Sequence, residues 1–409
     1  MNSRERVRAV INREPADYAP NGLGGCETTG LHILAYSKLQ KVLNCEPAPP
    51  KICTFMTNAV FELDVIEKMQ GDIILLASPR MCKSPYRASN VEKSWKEQTL
   101  WDKKFMIPAA DSFTRREDGG IIWETAGGTV CPPGGYFFDG MPGINSNSGF
   151  YDDIYGFDFP SPDNFNPRLD LPDELLRELE NSAKFLYEST DLSICLGETI
   201  TDLQIQPGGM VKSMILMREE PEIMREFLHK CTESALSQLK QLNQAVGKYV
   251  DILSIAHDFG DNRDVLIGAD LWREIYKDAY RELFQGWKKM TGMKINLHTC
   301  GSVYSILADL IDCGADIINP VQISANNMSA GKLKSEFGDK IIFWGGAYDA
   351  QLFAPDESYE QVYKKVSDAV NTLKKGGGFI FSGVHNLPPD MPEHHMKAML
   401  DAWRNNRQI

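Results

Sequence analysis

The stretch Lys294-Ile-Asn-Leu-His-Thr-Cys-Gly-Ser-Val-Tyr-Ser-Ile-Leu-Ala-Asp-Leu-Ile-Asp-Cys-Gly-Ala-Asp-Ile-Ile-Asn-Pro320 decides the fold. Its two ends, Lys294–Cys300 and Asp316–Pro320, read as strands, and short β-branched runs alternating with longer helical patterns indicate a parallel sheet with helices outside it. The same rhythm extends outward to Leu192–Thr199, Val250–Asp258, Lys340–Gly345 and Gly378–Val384. Two earlier runs, Tyr18–Leu23 and Asp72–Leu76, bring the count to eight. Eight strands alternating with helices predict an α/β fold, a closed (β/α)8 TIM barrel, with residues 1–409 as one domain.

Helices fall between these runs. Pro172-Asp-Glu-Leu-Leu-Arg-Glu-Leu-Glu180 opens with Pro and acids, as a helix N-terminus prefers, and Glu220-Pro221 opens another. A third is expected over Asp270 to Lys289, carrying Trp272, Ile275, Tyr276 and Tyr280. Residues 80 to 165 break the alternation and read as a partly β insertion after the second strand, overhanging the C-terminal rim. Within it, Asp118-Gly-Gly120 between Ser112–Arg116 and Ile121–Thr125 predicts a hairpin. Its aromatics, Tyr136, Phe137, Phe138, Phe150 and Tyr151, would line an apolar pocket or form a small satellite core.

A formal net charge of −13 argues against a nucleic-acid or anionic-membrane surface as main partner, since both require a basic footprint. No apolar segment approaches the length needed to span a bilayer, and the charged N-terminus does not resemble a signal peptide, so a cytoplasmic location is expected. The nine cysteines include no Cys-x-x-Cys pair, which predicts free, mostly buried thiols. Gly22-Leu-Gly-Gly-Cys-Glu-Thr-Thr-Gly30 is glycine-rich but lacks the Lys-Ser/Thr of a P-loop and the spacing of a dinucleotide fingerprint.

Chemistry concentrates at the strand ends. His298 and Cys300, two residues apart on a strand, share a face, which supplies two of the three protein ligands of a catalytic zinc site. The last strand ends in His385, and one barrel rim would present all three side chains. Glu198, Asp258 and Asp261 also end strands and are expected to face the mouth, Glu198 and Asp258 as proton-handling groups and Asp261 toward substrate. Each could instead cap the following helix, and Arg263 could pair with Asp261. His394 and His395 are expected on a helix, partly exposed.

The residues from Asp251 to Gln351 resemble the uroporphyrinogen decarboxylase superfamily, through Asp258-Phe-Gly-Asp261, His298-Thr-Cys-Gly-Ser302, Gly314-Ala-Asp-Ile-Ile-Asn-Pro-Val-Gln322 and Phe343-Trp-Gly-Gly-Ala347. The opening from Arg4 to Pro20 also resembles its start, while residues 80 to 165 stand outside the likeness. Decarboxylases of this superfamily carry Arg-Gln-Ala-Gly-Arg-Tyr after the opening Pro, where this chain has Asn21-Gly-Leu-Gly-Gly-Cys-Glu27. Without clustered arginines a polycarboxylate is hard to hold. The His-x-Cys pair is instead similar to the branch of zinc-dependent methyltransferases that work with a corrinoid protein.

In that branch the last-strand ligand is a Cys and an acid follows the pair; here His385 and Gln322 stand in those places. A zinc held by two imidazoles and one thiolate is more electrophilic than one held by two thiolates, which suits polarising an ether oxygen. The resemblance then implies removal of a methyl group from a small methylated substrate, an O-methyl aromatic ether, onto the cobalt of a corrinoid. With no Asp-x-His-x-x-Gly motif in the chain, the corrinoid would arrive on a partner protein. Gln322 would bind substrate or complete the metal shell. Alternatives are methylation of a thiol from methylcobalamin, a metal-independent tetrapyrrole decarboxylase, and a barrel that only binds a corrinoid. A homodimer is common in the resembled superfamily.

Overall fold

The computed structural model describes residues 1–45, 48–53, 57–76, 95–126, 128–138 and 159–409. Seven parallel strands form one sheet in sequence order: β1 (Ile73–Leu76), β2 (Ser193–Leu196), β3 (Ile252–Ala256), β4 (Lys294–His298), β5 (Ile317–Asn319), β6 (Ile342–Trp344) and β7 (Phe379–Ile380). Each corresponds to one of the predicted runs. The eighth, at 18–23, is not a regular strand and makes two isolated bridges, a parallel one between Asn21 and Phe381 and an antiparallel one between Tyr18 and Gln408. It nonetheless joins both free edges. Gly22 N donates to Phe381 O at 2.8 Å on the β7 side, and Asp72 N donates to Asn21 O at 2.8 Å on the β1 side. The sheet therefore curls into a ring.

Alternation explains what fills the ring. Ile73, Cys195, Ile252, Ile317, Ile342, Trp344 and Ile380 form one buried cluster with Val7, Val10 and Ile11 of the first helix, Ser3–Ile11. Outward-facing residues pack a much larger cluster against the surrounding helices, where Trp272, Trp287 and Trp403 are fully buried. Continuing inward by twos along β4 gives Asn296, then His298, then Cys300. The apolar layers thus hand over to a polar layer at the C-terminal rim, where the strands end.

The predicted helices at Pro172 and Pro221 are found at Asp173–Ser189 and Pro221–Val246. The expected helix over Asp270 to Lys289 is two, Ala269–Ile275 and Lys277–Met290, broken at Tyr276. The insertion carries the predicted hairpin, Phe113–Arg115 against Ile121–Trp123, which Thr129–Cys131 extends to three strands. A separate hairpin, Trp95–Leu100 with Lys103–Pro108, precedes it. Its described aromatics resolve as a satellite core: Phe138 packs against Trp101, Phe113 and Trp123. Tyr136 and Phe137 instead meet the His32 ring edge-on. Phe150 and Tyr151 lie outside the described residues. Among the described residues, no helix is long and apolar enough to cross a membrane.

Candidate metal centre

His298, the last residue of β4, is 5 % exposed and its ring is fixed from behind. Asn319, opposite it in register on β5, donates its amide N–H to Trp344 O at 3.0 Å, which turns the amide oxygen toward His298. That oxygen lies 2.8 Å from His298 Nδ1 and also accepts from Thr28 Oγ1 at 2.7 Å. The proton is therefore on Nδ1, leaving the Nε2 lone pair free for a metal. Cys300 Sγ lies 3.4 Å from that Nε2, and the His385 ring centroid is 5.3 Å from the His298 centroid. One ligand atom from each of the three residues lies within 4.8 Å of the others.

Two glycines let the strand ends meet. Gly301 has φ +82°, and a Cβ there would lie 2.4 Å from Gly260 C; one on Gly260 would lie 2.7 Å from Ser302 O. The turns after β3 and β4 are thus in backbone contact. Ser302 N donates to Asp261 O, Phe259 N to Thr299 Oγ1, and Cys300 N to the Asp258 carboxylate at 2.8 Å. The Asp258 carboxylate, held this way, is 3.7 Å from His298 Nε2. On the far side, Gly30 N donates to Asn386 Oδ1 and Leu387 N to Gly30 O, which anchors the segment carrying His385.

The donor set fits zinc. Tetrahedral ligation at the usual Zn–N and Zn–S lengths places ligand atoms ~3.4–3.6 Å apart, and the Cys300–His298 edge already has that length. Burial keeps both imidazoles uncharged: His298 is lowered by it, and His385 falls to about 4 through burial and the neighbouring His298. Burial, with Asp258 beside it, raises the Cys300 thiol to about 12. A thiolate there requires a cation, which would itself displace the proton.

The other expected site residues divide. Glu198 reaches the mouth just past β2, and burial together with the charges of Glu27, Asp202 and Asp258 raises it to about 8. Gln322 is buried, with both ends of its amide engaged: Oε1 accepts from Gly301 N at 2.7 Å and Nε2 donates to Asn262 Oδ1 at 2.6 Å. Asp261 is turned back onto its own loop, accepting from Arg263 N and Asp264 N, and is exposed. The expectation of a mouth-facing Asp261 gives way to a loop cap. His395 is fully buried rather than partly exposed, hydrogen-bonded to Tyr348 Oη and Glu357 O.

Two features of the site carry no local signal in the sequence. A cavity of about 340 Å³ opens between the loops after β2 and β3, lined by Met210, Met214 and Met217, by Phe259 and Tyr276, and by Asp258. Its methionines form a stripe on the helix Met210–Glu219, and Asp258 connects this apolar chamber to the three ligands. The second is Glu27, whose Oε1 is buried without a hydrogen-bond partner among the described residues.

Residues 206–406 match the family model of uroporphyrinogen decarboxylase (URO-D). The chain is similar to the uroporphyrinogen decarboxylase of Methylococcus capsulatus, 22 % identical over 200 residues, or 47 % of this chain and 51 % of that protein. It thus spans about half the length of that curated relative. Across 99 % of both chains it superposes on a methyltransferase from Methanosarcina mazei, with a TM-score of 0.56 at 14 % identity. That likeness establishes the fold, and it runs through the whole barrel.

Proposed function

We propose that the chain is a zinc-dependent methyltransferase of the uroporphyrinogen decarboxylase superfamily, moving a methyl group from a small O-methyl aromatic ether to the cobalt of a separate corrinoid protein. The observation that carries this reading is the convergence of His298, Cys300 and His385 on the barrel rim beside an apolar, aromatic-walled cavity. The methyltransferase likeness over the full length agrees with it. Zinc, when bound, supplies Lewis acidity toward a substrate oxygen.

The chain's own residues do the rest. Phe259, Tyr276 and the Met210, Met214 and Met217 stripe hold the aromatic ring, since thioethers and ring edges pack well on aromatic faces. The C–O bond breaks with its electron pair on oxygen, the methyl carbon passes to the cobalt nucleophile, and Glu198 or Asp258 delivers a proton to the departing oxygen. Gln322 and Asn319 position Cys300 and His298. Among the described residues, the charges acting on Glu198 are all negative, which disfavours a polycarboxylate substrate and hence the decarboxylase alternative.

Purified protein is expected to hold about one zinc per chain, and His298→Ala with His385→Ala to abolish it. Methoxylated aromatics plus a reduced corrinoid protein should yield the phenol and a methylated corrinoid. Full zinc retention in the double variant overturns the site; thiol methylation with no ether cleavage overturns the direction. Met214→Trp, which fills the chamber, should raise KM by about tenfold or more while zinc content stays constant.

A further inference from the structure

The glycine-rich segment Gly22–Gly30 carries Glu27 into the barrel mouth, where no other part of the site accounts for it. Thr28 reaches the Asn319 that orients His298, and Gly30 reaches the Asn386 next to His385, so Glu27 sits on the loop that touches the supports of both histidines. Its carboxyl lies flat against the end of β2: a Cβ on Gly197 would be 1.5 Å from Glu27 Oε1. The N–H of Glu198, the next residue, faces the same carboxyl. Glycine at 197 is what makes room.

Two half-buried carboxyl groups on adjacent backbone, one with a buried oxygen, cannot both be charged at modest energetic cost. Among the described residues, the charged groups acting on Glu198 are Glu27, Asp202 and Asp258, and no Arg or Lys is among them. Those facing Glu27 are Glu198 and the thiols of Cys26 and Cys195, again without a cation. Burial raises Glu27 to about 7, so the two glutamates respond as a pair.

We propose that Glu27 is a positioning residue that keeps the Glu198 carboxyl protonated at neutral pH, so that Glu198, rather than Asp258, is the proton donor to the departing oxygen. This rests on the methyl-transfer reading above. The proton leaves Glu198 for the substrate oxygen as the C–O bond breaks; Glu198 becomes a carboxylate and is reprotonated from water. No other reactant is needed.

The test uses zinc-loaded full-length protein and two readouts. An infrared pH titration follows the protonated-carboxyl C=O band, which requires no turnover, and the pH profile of kcat follows ether cleavage. Wild type should keep a protonated carboxyl through neutral pH, and Glu198→Gln should remove it. Glu27→Gln should shift the remaining titration, and the alkaline limb of kcat, down by about one pH unit or more. Gly197→Ala, which displaces the Glu27 carboxyl, should do the same, and Glu27→Asp should restore part of the effect. No protonated carboxyl at neutral pH in wild type, or an unmoved titration in both Glu27→Gln and Gly197→Ala, overturns the proposal. A band that behaves as expected in a protein that cleaves no ether leaves the pair standing and overturns the methyl-transfer reading instead.

Discussion

Asn319 fixes the tautomer of His298 because its own amide is fixed by Trp344 O, so a candidate metal ligand is oriented by a residue outside the three-residue cluster. Removing such a support commonly weakens metal binding 10–100-fold, and Asn319→Ala is expected to show that loss by chelator competition. Unchanged affinity would assign the orientation elsewhere. The raised Glu198 has a stability consequence in zinc-free protein. A carboxyl whose folded pKa lies above its unfolded value contributes its full stability below the unfolded value, near 4.5, and loses it as pH rises toward and through about 8. Glu198→Gln should therefore match wild type in Tm near pH 5 and exceed it by ~2 °C or more near pH 9. His298, Cys300 and Asp258 were legible in the sequence, because each lies at the end of an apolar run. Asn319 also ends a run, but its role depends on β5 lying beside β4, and Glu27 gives no local signal at all.

The turns after β3 and β4 act as one unit. Gly301 at φ +82° and Gly260 bring the two backbones into contact, and the Asp258–Cys300 hydrogen bond depends on that approach. Gly301→Ala meets both a strained backbone and an overlap, and should cost on the order of 1–3 kcal/mol in urea unfolding and weaken zinc binding with it. A stable variant with full zinc affinity would show that the contact is dispensable. Strand positions were readable from β-branched runs, since parallel strands buried on both faces are continuously apolar. The break at Tyr276 was not: the pattern on either side is helical, and the kink serves to place Tyr276 against Met217 and the chamber.

The ring is closed by polar bonds as well as by its core. Asp72, 1 % exposed, accepts from Arg6 Nη1 at 2.6 Å and from Asn21 N at 2.8 Å, tying the first helix and the closing segment to β1. Arg6→Met leaves a buried carboxylate without its cation, and breaking such a pair typically costs 3–5 kcal/mol. The expected result is a lower denaturation midpoint with the loss spread over the whole barrel; a midpoint within error of wild type would place ring closure on the core alone. Counting runs predicts eight-fold closure, and the eighth run joins the ring through three backbone bonds, to Phe381 on one side and Asp72 on the other, rather than as a regular strand.

Period and order along the chain suffice to specify the alternation of strands and helices, the rim that collects their ends, and the convergence there of His298, Cys300 and His385. That Gln322 braces the turn at Gly301, and that Glu27 lies against Gly197 beside Glu198, follows from the tertiary structure alone. Those contacts join residues distant in the chain, and which atoms meet across a barrel mouth depends on the curl of the sheet and the path of its loops, which no local pattern encodes.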